Sequence, residues 1–131
     1  MLTISLKRFI PVVLLALLLV SALSAQTDQT KHIKFAKGKT SATVSDSVLR
    51  EEVHYYIVNV RQGQRMTVKI TSVEKNASFR IRMPSDGFVQ GAGEMEEPKN
   101  WTGTITESGD HKIEVGADRG NATYRLTVSV R

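Results

Sequence analysis

The chain has 131 residues, with 18 lysines and arginines against 13 aspartates and glutamates, and no cysteine. That length supports one domain rather than two, and the missing thiols exclude disulfides and thiol chemistry. Setting aside Lys7 and Arg8, which belong to the leader described next, leaves 16 basic and 13 acidic side chains, a net of +3. That charge is interspersed, and no basic run is interleaved with stacking aromatics, which argues against nucleic acid as a partner.

Lys7 and Arg8 precede an apolar run from Ile10 to Val20, interrupted by Pro11, and Ser21-Ala22-Leu23-Ser24-Ala25 follows it. A basic region, an apolar region and small residues in that order predict a cleaved signal peptide over residues 1–25, cut after Ser24 or Ala25. The apolar run is short for a bilayer span, which takes about 20 residues. No cysteine follows it to carry a lipid, so no membrane anchor is expected. The product is expected to be periplasmic or secreted.

Residues 26–31 are polar and are expected to form a flexible N-terminus; residues 32–131 carry the domain. Ile33 and Phe35 point one way, and Gly38-Lys39 ends that segment. Ala42, Val44 and Val48 mark a second. Val53 to Val60 is β-branched and aromatic on both faces, which predicts a central strand covered on two sides. Arg61-Gln62-Gly63-Gln64 is a turn, and Met66, Val68 and Ile70 then alternate with Thr67 and Lys69. Asn76-Ala77-Ser78 reads as a break. Phe79, Ile81 and Met83 alternate with Arg80 and Arg82 until Pro84 stops the ladder. Phe88 to Asn100 reads mostly as a loop.

Trp101, Gly103 and Ile105 share one side of the next extended segment, and His111, Ile113 and Val115 share one side of the one after. Glu107-Ser108-Gly109-Asp110 lies between them, so Trp101 to Val115 is predicted as a β-hairpin with a polar tip. Gly116 to Asn121 makes another turn, and Ala122, Tyr124, Leu126, Val128 and Val130 close the chain. No useful helical period occurs after the leader. About eight short strands at this spacing predict an all-β fold, a single antiparallel, jelly-roll-like β-sandwich. Antiparallel pairing follows from connections too short for crossovers.

Several segments resemble the bacterial periplasmic inhibitors of g-type lysozyme. They are F-A-K-G at 35–38, S-A-T-V at 41–44, H-Y-Y-I-V-N-V-R-Q-G-Q-R-M-T-V at 54–68, W-T-G-T-I at 101–105, S-G-D-H-K-I-E-V at 108–115 and A-T-Y-R-L-T-V-S-V at 122–130. Part of the pattern is also similar to the pre-peptidase C-terminal type of β-sandwich. The inhibitor resemblance implies a rigid sandwich that blocks a lysozyme cleft with a loop, here Ser108, Gly109, Asp110 and His111. Arg119 is the one guanidinium in the following turn that could pair with a cleft carboxylate. One of Tyr55 and Tyr56, which point to opposite faces, is expected at a partner surface; Tyr55 is the candidate. His111 stands where many of these inhibitors have tyrosine, and the 116–121 turn is shorter than their arginine-rich loop.

The residues offer little chemistry. His32, His54 and His111 lie in no metal-binding spacing, and Ser108, Asp110 and His111 on one tight turn cannot converge as a catalytic triad. A binder without enzymatic activity, cofactor or metal is expected, with a lysozyme, g-type by resemblance, as its partner. The alternative is an accessory sandwich module that binds carbohydrate or calcium; for calcium, Asp86, Glu94, Glu96 and Glu97 are the available carboxylates, without a dense ligand spacing.

Overall fold

The alternating segments become eight strands in a computed structural model, which describes residues 28–131. The signal peptide expected over residues 1–25 lies outside the described residues. In chain order the strands are β1 (Gln29–His32), β2 (Ser41–Val48), β3 (His54–Val60), β4 (Arg65–Ser72), β5 (Ala77–Arg82), β6 (Asn100–Thr104), β7 (Gly109–Ala117) and β8 (Ala122–Val130). They form two four-stranded sheets in the orders β1-β3-β7-β5 and β2-β8-β4-β6. Odd strands build one sheet and even strands the other, so every connection carries the chain across the core.

This alternation means that no two consecutive strands are paired, which departs from the jelly-roll-like winding expected of a folded hairpin. In particular, residues 101–115 are not a hairpin. β6 pairs with β4, from Arg65↔Thr104 to Lys69↔Asn100, whereas β7 pairs with β3 and β5 in the other sheet. Glu107-Ser108-Gly109-Asp110 is therefore an inter-sheet corner. Turn-forming residues dictate that the chain reverses, not which sheet it enters next. The sandwich is also not wholly antiparallel, because β1 runs parallel to β3 from Gln29↔His54 to His32↔Ile57. The crossover that a parallel pair needs is supplied by β2, in the opposite sheet.

That parallel pair places Gln29, Thr30 and Lys31 in a strand, where side-chain polarity suggested a flexible terminus. Backbone hydrogen bonding is indifferent to side-chain polarity, and every residue of β1 remains exposed. β3 is inside its sheet, but only one of its faces is closed. His54, Tyr56, Val58 and Val60 are buried, while Tyr55 and Ile57 are half-buried and Asn59 is exposed. The 88–99 segment has no strand, as expected, yet it covers the free edge of β5. Val89 N–H donates to the Ile81 carbonyl at 2.9 Å, and Ile81 N–H to Ala92 at 2.9 Å. An open edge of this kind would otherwise offer unpaired groups to another chain.

The period-two reading of the core holds. Met66, Val68, Ile70, Phe79, Ile81, Ile113, Val115, Leu126 and Val128 are all buried in one cluster. Within it sits a polar triad. Tyr124 OH bonds His54 Nδ1 at 2.8 Å and also bonds the Tyr56 hydroxyl. Burial, then the bond to Tyr56, pushes the Tyr124 phenol far above its ordinary range, so it stays a neutral hydrogen-bonding group. At the β6 edge the single tryptophan of the chain lies across Gly103. A Cβ added there would stand 2.5 Å from Trp101 Cζ2. The indole N–H donates to the Gln90 carbonyl at 2.9 Å, tying the 88–99 segment to β6.

Two outcomes follow from this packing. Tyr124→Phe strands the buried His54 Nδ1 and the Tyr56 hydroxyl, so urea unfolding should show a loss of about 2–3 kcal/mol. Gly103→Ala forces the indole out of its place, at about 1–3 kcal/mol, and should shift the emission of this lone tryptophan to the red. Unchanged stability and emission in these two variants would contradict the packing described.

Candidate functional site: the corner at Glu107 to Asp110

Three connections meet at one end of the sandwich: 61–64 between β3 and β4, 83–87 after β5, and 105–108 between β6 and β7. The corner between the sheets is held by backbone bonds to the first of these. Gly63 N–H donates to the Ile105 carbonyl at 2.9 Å, and Ile105 N–H to Gln64 at 2.8 Å. Gln64 Oε1 in turn accepts from Arg61 N–H at 2.8 Å, closing the 61–64 turn on itself. Glu107 reaches the second connection, accepting from Ser85 N–H at 2.6 Å and from the Ser85 hydroxyl at 3.0 Å. Those two bonds, the backbone one first, hold the Glu107 carboxyl below the usual carboxylate range.

Ser108 is exposed at the apex, and its Oγ accepts a hydrogen bond from Gln62 N–H at 2.8 Å. This fixes the oxygen and leaves the hydroxyl proton to donate outward. Gly109 begins β7 at φ +136°, a backbone conformation that side-chain-bearing residues rarely adopt, and a Cβ there would stand 3.0 Å from Pro84 Cγ. Asp110 is exposed on the outer face, where Oδ1 accepts from Asn59 Nδ2 at 2.9 Å. Ser108, Gly109 and Asp110 are thus presented together on a braced support. Asn59, Gln62 and Ser85, which supply the bracing, carry no signal of that role in the sequence, because Asn59 lies in β3 and the other two in separate connections.

His111 is placed differently. Its side chain points into the core, 1 % exposed, with Nδ1 3.1 Å from the Gly109 carbonyl oxygen. It supports the corner from beneath and cannot be a contact residue there; alternation along β7 already gave it the inward phase. Arg119 is not brought to the corner either. It lies beyond the other end of β7, a strand of nine residues that extends about 27 Å from end to end. There its Nη2 donates to the Glu74 carbonyl at 3.0 Å. The neighbouring Asp118 carboxyl is disfavoured by burial, but bonds from Lys99 and Ser78 outweigh this and lower its pKa. Asn76 Nδ2 ties this turn down by donating to the carbonyls of Arg119 and Asn121.

Tyr55 is half-buried on the outer face of the β1-β3-β7-β5 sheet, with the Lys112 ammonium 5.4 Å from its ring centroid. The face around it is internally charge-balanced. Glu114, buried, receives Arg82 Nε at 2.9 Å and lies 3.3 Å from Arg80 Nε, and the Arg82 guanidinium stacks 4.2 Å from the Phe88 centroid. The acidic residues of 86–97 do not converge. Asp86 faces Arg82, Glu94 faces Arg80, and Glu96 accepts from Gly93 N–H. Among the described residues no three aspartate, glutamate or histidine side chains gather as a metal site.

No protein-family model matches the chain, and comparison with curated proteins also yields no match. Solved structures do match. PliG of Aeromonas hydrophila, a periplasmic lysozyme inhibitor of g-type lysozyme, superposes with a TM-score of 0.70 at 28% identity, covering 82% of this chain and 100% of that one. PliG of Salmonella Typhimurium gives 0.65 at 18%, covering 80% and 100%. The pre-peptidase C-terminal domain of a Bacillus anthracis collagenase gives 0.57 at 16%, covering 82% and 100%. At those lower identities the likeness is one of fold. The resemblance carried by the sequence segments thus extends to three dimensions: over most of its length the chain has the structure of the periplasmic inhibitors of g-type lysozyme, with the pre-peptidase C-terminal sandwich a weaker match.

Proposed function

We propose that this protein is exported and binds a lysozyme of the g-type, closing the substrate cleft with the Glu107–Asp110 corner. The observation that carries the reading is Ser108, whose oxygen is held by Gln62 while its proton is free. Cleavage of a glycoside by a lysozyme requires a carboxyl group that cycles its proton. A hydroxyl donated to that group occupies it, and the corner itself fills the space of the sugar. Because the corner is braced by two neighbouring connections and by Asn59 of β3, docking costs little conformational entropy. Gly109 keeps the apex narrow.

In this reading Ser108, Gly109 and Asp110 are the contacts, His111 is their support, and Tyr55 sits too far along β3 to share the same cleft. Arg119 would have to meet a different part of the partner. The protein acts by binding, without enzymatic chemistry or a cofactor. The 28% identity with the Aeromonas hydrophila inhibitor, across that protein's full length, supports the partner class. The periplasmic setting of the similar proteins and the leader over residues 1–25 support export.

Inhibition assays against goose-type, chicken-type and invertebrate-type lysozymes test this directly. Inhibition of the goose-type enzyme is expected, weakened about 30- to 1,000-fold by Ser108→Ala with Asp110→Ala, since each of the two lost contacts is worth about 1–2 kcal/mol. Arg119→Ala should change inhibition less than about twofold, the outcome expected of a residue outside the contact. No inhibition of any of the three enzymes would remove the proposal.

A further inference from the structure

The two outer faces of the sandwich differ in a way the fold does not require. On the β1-β3-β7-β5 sheet, Arg80 and Arg82 are matched by Glu94, Asp86 and Glu114. On the β2-β8-β4-β6 sheet, every outward strand position is serine or threonine except Arg65, Lys69, Arg125 and Asn100. No strand of that face turns a carboxylate outward. None of its three cations forms a salt bridge among the described residues. Threonine is common on strands for reasons of shape alone, so the hydroxyls by themselves say little. The segregation of charge says more.

We propose that this face binds an extended anionic polysaccharide. Arg65 and Lys69 stand four residues apart on β4, about 13 Å along the strand. Lys69 is opposite Thr127, so Arg125 is its diagonal neighbour, about 7–8 Å away. Three cations therefore follow an oblique line along β4 and onto β8, as the charges of a linear polyuronate would require. Around them the hydroxyls are paired across strands: Thr43 with Thr127 at 3.1 Å, Thr67 with Thr102 at 3.0 Å, and Ser47 with Thr123 at 2.8 Å. Each pair uses one of its two protons and leaves the other, with free lone pairs, for the hydroxyls of a sugar.

At one end a shallow depression of about 430 Å³ is lined by Ser45, Thr71, Val73, Thr123 and Arg125. Val73 is 92% exposed there and offers an apolar contact for a ring's C–H groups. Tyr124 also borders the depression but is only 2% exposed, so the face has no exposed aromatic on which bases could stack, and no apolar ridge to enter a membrane. A polyol bearing carboxylates fits it better than nucleic acid or lipid.

Affinity electrophoresis and titration calorimetry with polygalacturonate, inorganic polyphosphate and neutral dextran test the assignment. The protein should bind polygalacturonate in preference to polyphosphate and should not bind dextran. Arg65→Gln with Lys69→Gln and Arg125→Gln should weaken that binding about tenfold, since exposed ion pairs contribute weakly but together. The same charge removed elsewhere, by Lys34→Gln with Lys37→Gln and Arg61→Gln, should change it less than about twofold. Thr43→Val with Thr127→Val, which keeps the charge, should erase the preference for polygalacturonate over polyphosphate. Absence of binding, equal affinity for polyphosphate, or equal losses in the two glutamine variants would each overturn the proposal. Lysozyme inhibition is read separately with Lys69→Gln and Arg125→Gln alone, because Arg65 adjoins the 61–64 turn beside the Ser108 corner.

Discussion

Each connection in this molecule has to span the thickness of the core, because consecutive strands belong to opposite sheets. Two packed sheets lie about 10 Å apart, so a connection needs only a few residues when strand ends are close. The consequence is that local reversals, normally spent on joining neighbours within a sheet, here lace the two sheets together. Every pairing is then between strands distant in sequence. β2 and β8, for example, come from opposite ends of the described chain. Long-range pairing of this kind forms slowly, but it leaves no strand held only by its neighbour in sequence. Without a single disulfide, that interlacing and the apolar core carry the fold.

The same constraint shapes the candidate site. A hairpin tip is supported only by its own two strands, whereas the Glu107–Asp110 corner is supported by the connections beside it. Gln62 fixes Ser108 from one side and Ser85 fixes Glu107 from another. A rigid corner with one free donor is a better recognition element than a mobile loop of equal composition, because ordering has already occurred on folding. His111 contributes from below through the core.

Polar groups in the interior and on the surface are treated in contrasting ways. The Tyr56-Tyr124-His54 network lies inside the core and joins both sheets, since Tyr124 belongs to β8 and the other two to β3. The outer face around Glu114 is neutralised by its own arginines. The outer face of the other sheet is not, and that imbalance is what sets it apart as a surface for something anionic.

Alternation along the chain was enough to identify β4, β7 and β8, the inward phase of Trp101, Ile105 and His111, and the strandless stretch before Asn100, because burial imposes period two on any strand regardless of its partner. Composition at 107–110 was likewise enough to locate a reversal. Which strands pair was not encoded locally. The polar β1 has no apolar signature, and residues 101–115 carry the same pattern whether their strands share a sheet or face each other. The separation of Arg119 from Ser108, the bracing by Asn59, Gln62 and Ser85, and the inaccessibility of His111 as a contact all depend on that pairing. Side-chain chemistry therefore determined where the apolar strands and the turns occur, while the order of strands in two facing sheets, set by packing between distant segments, decided what those turns present.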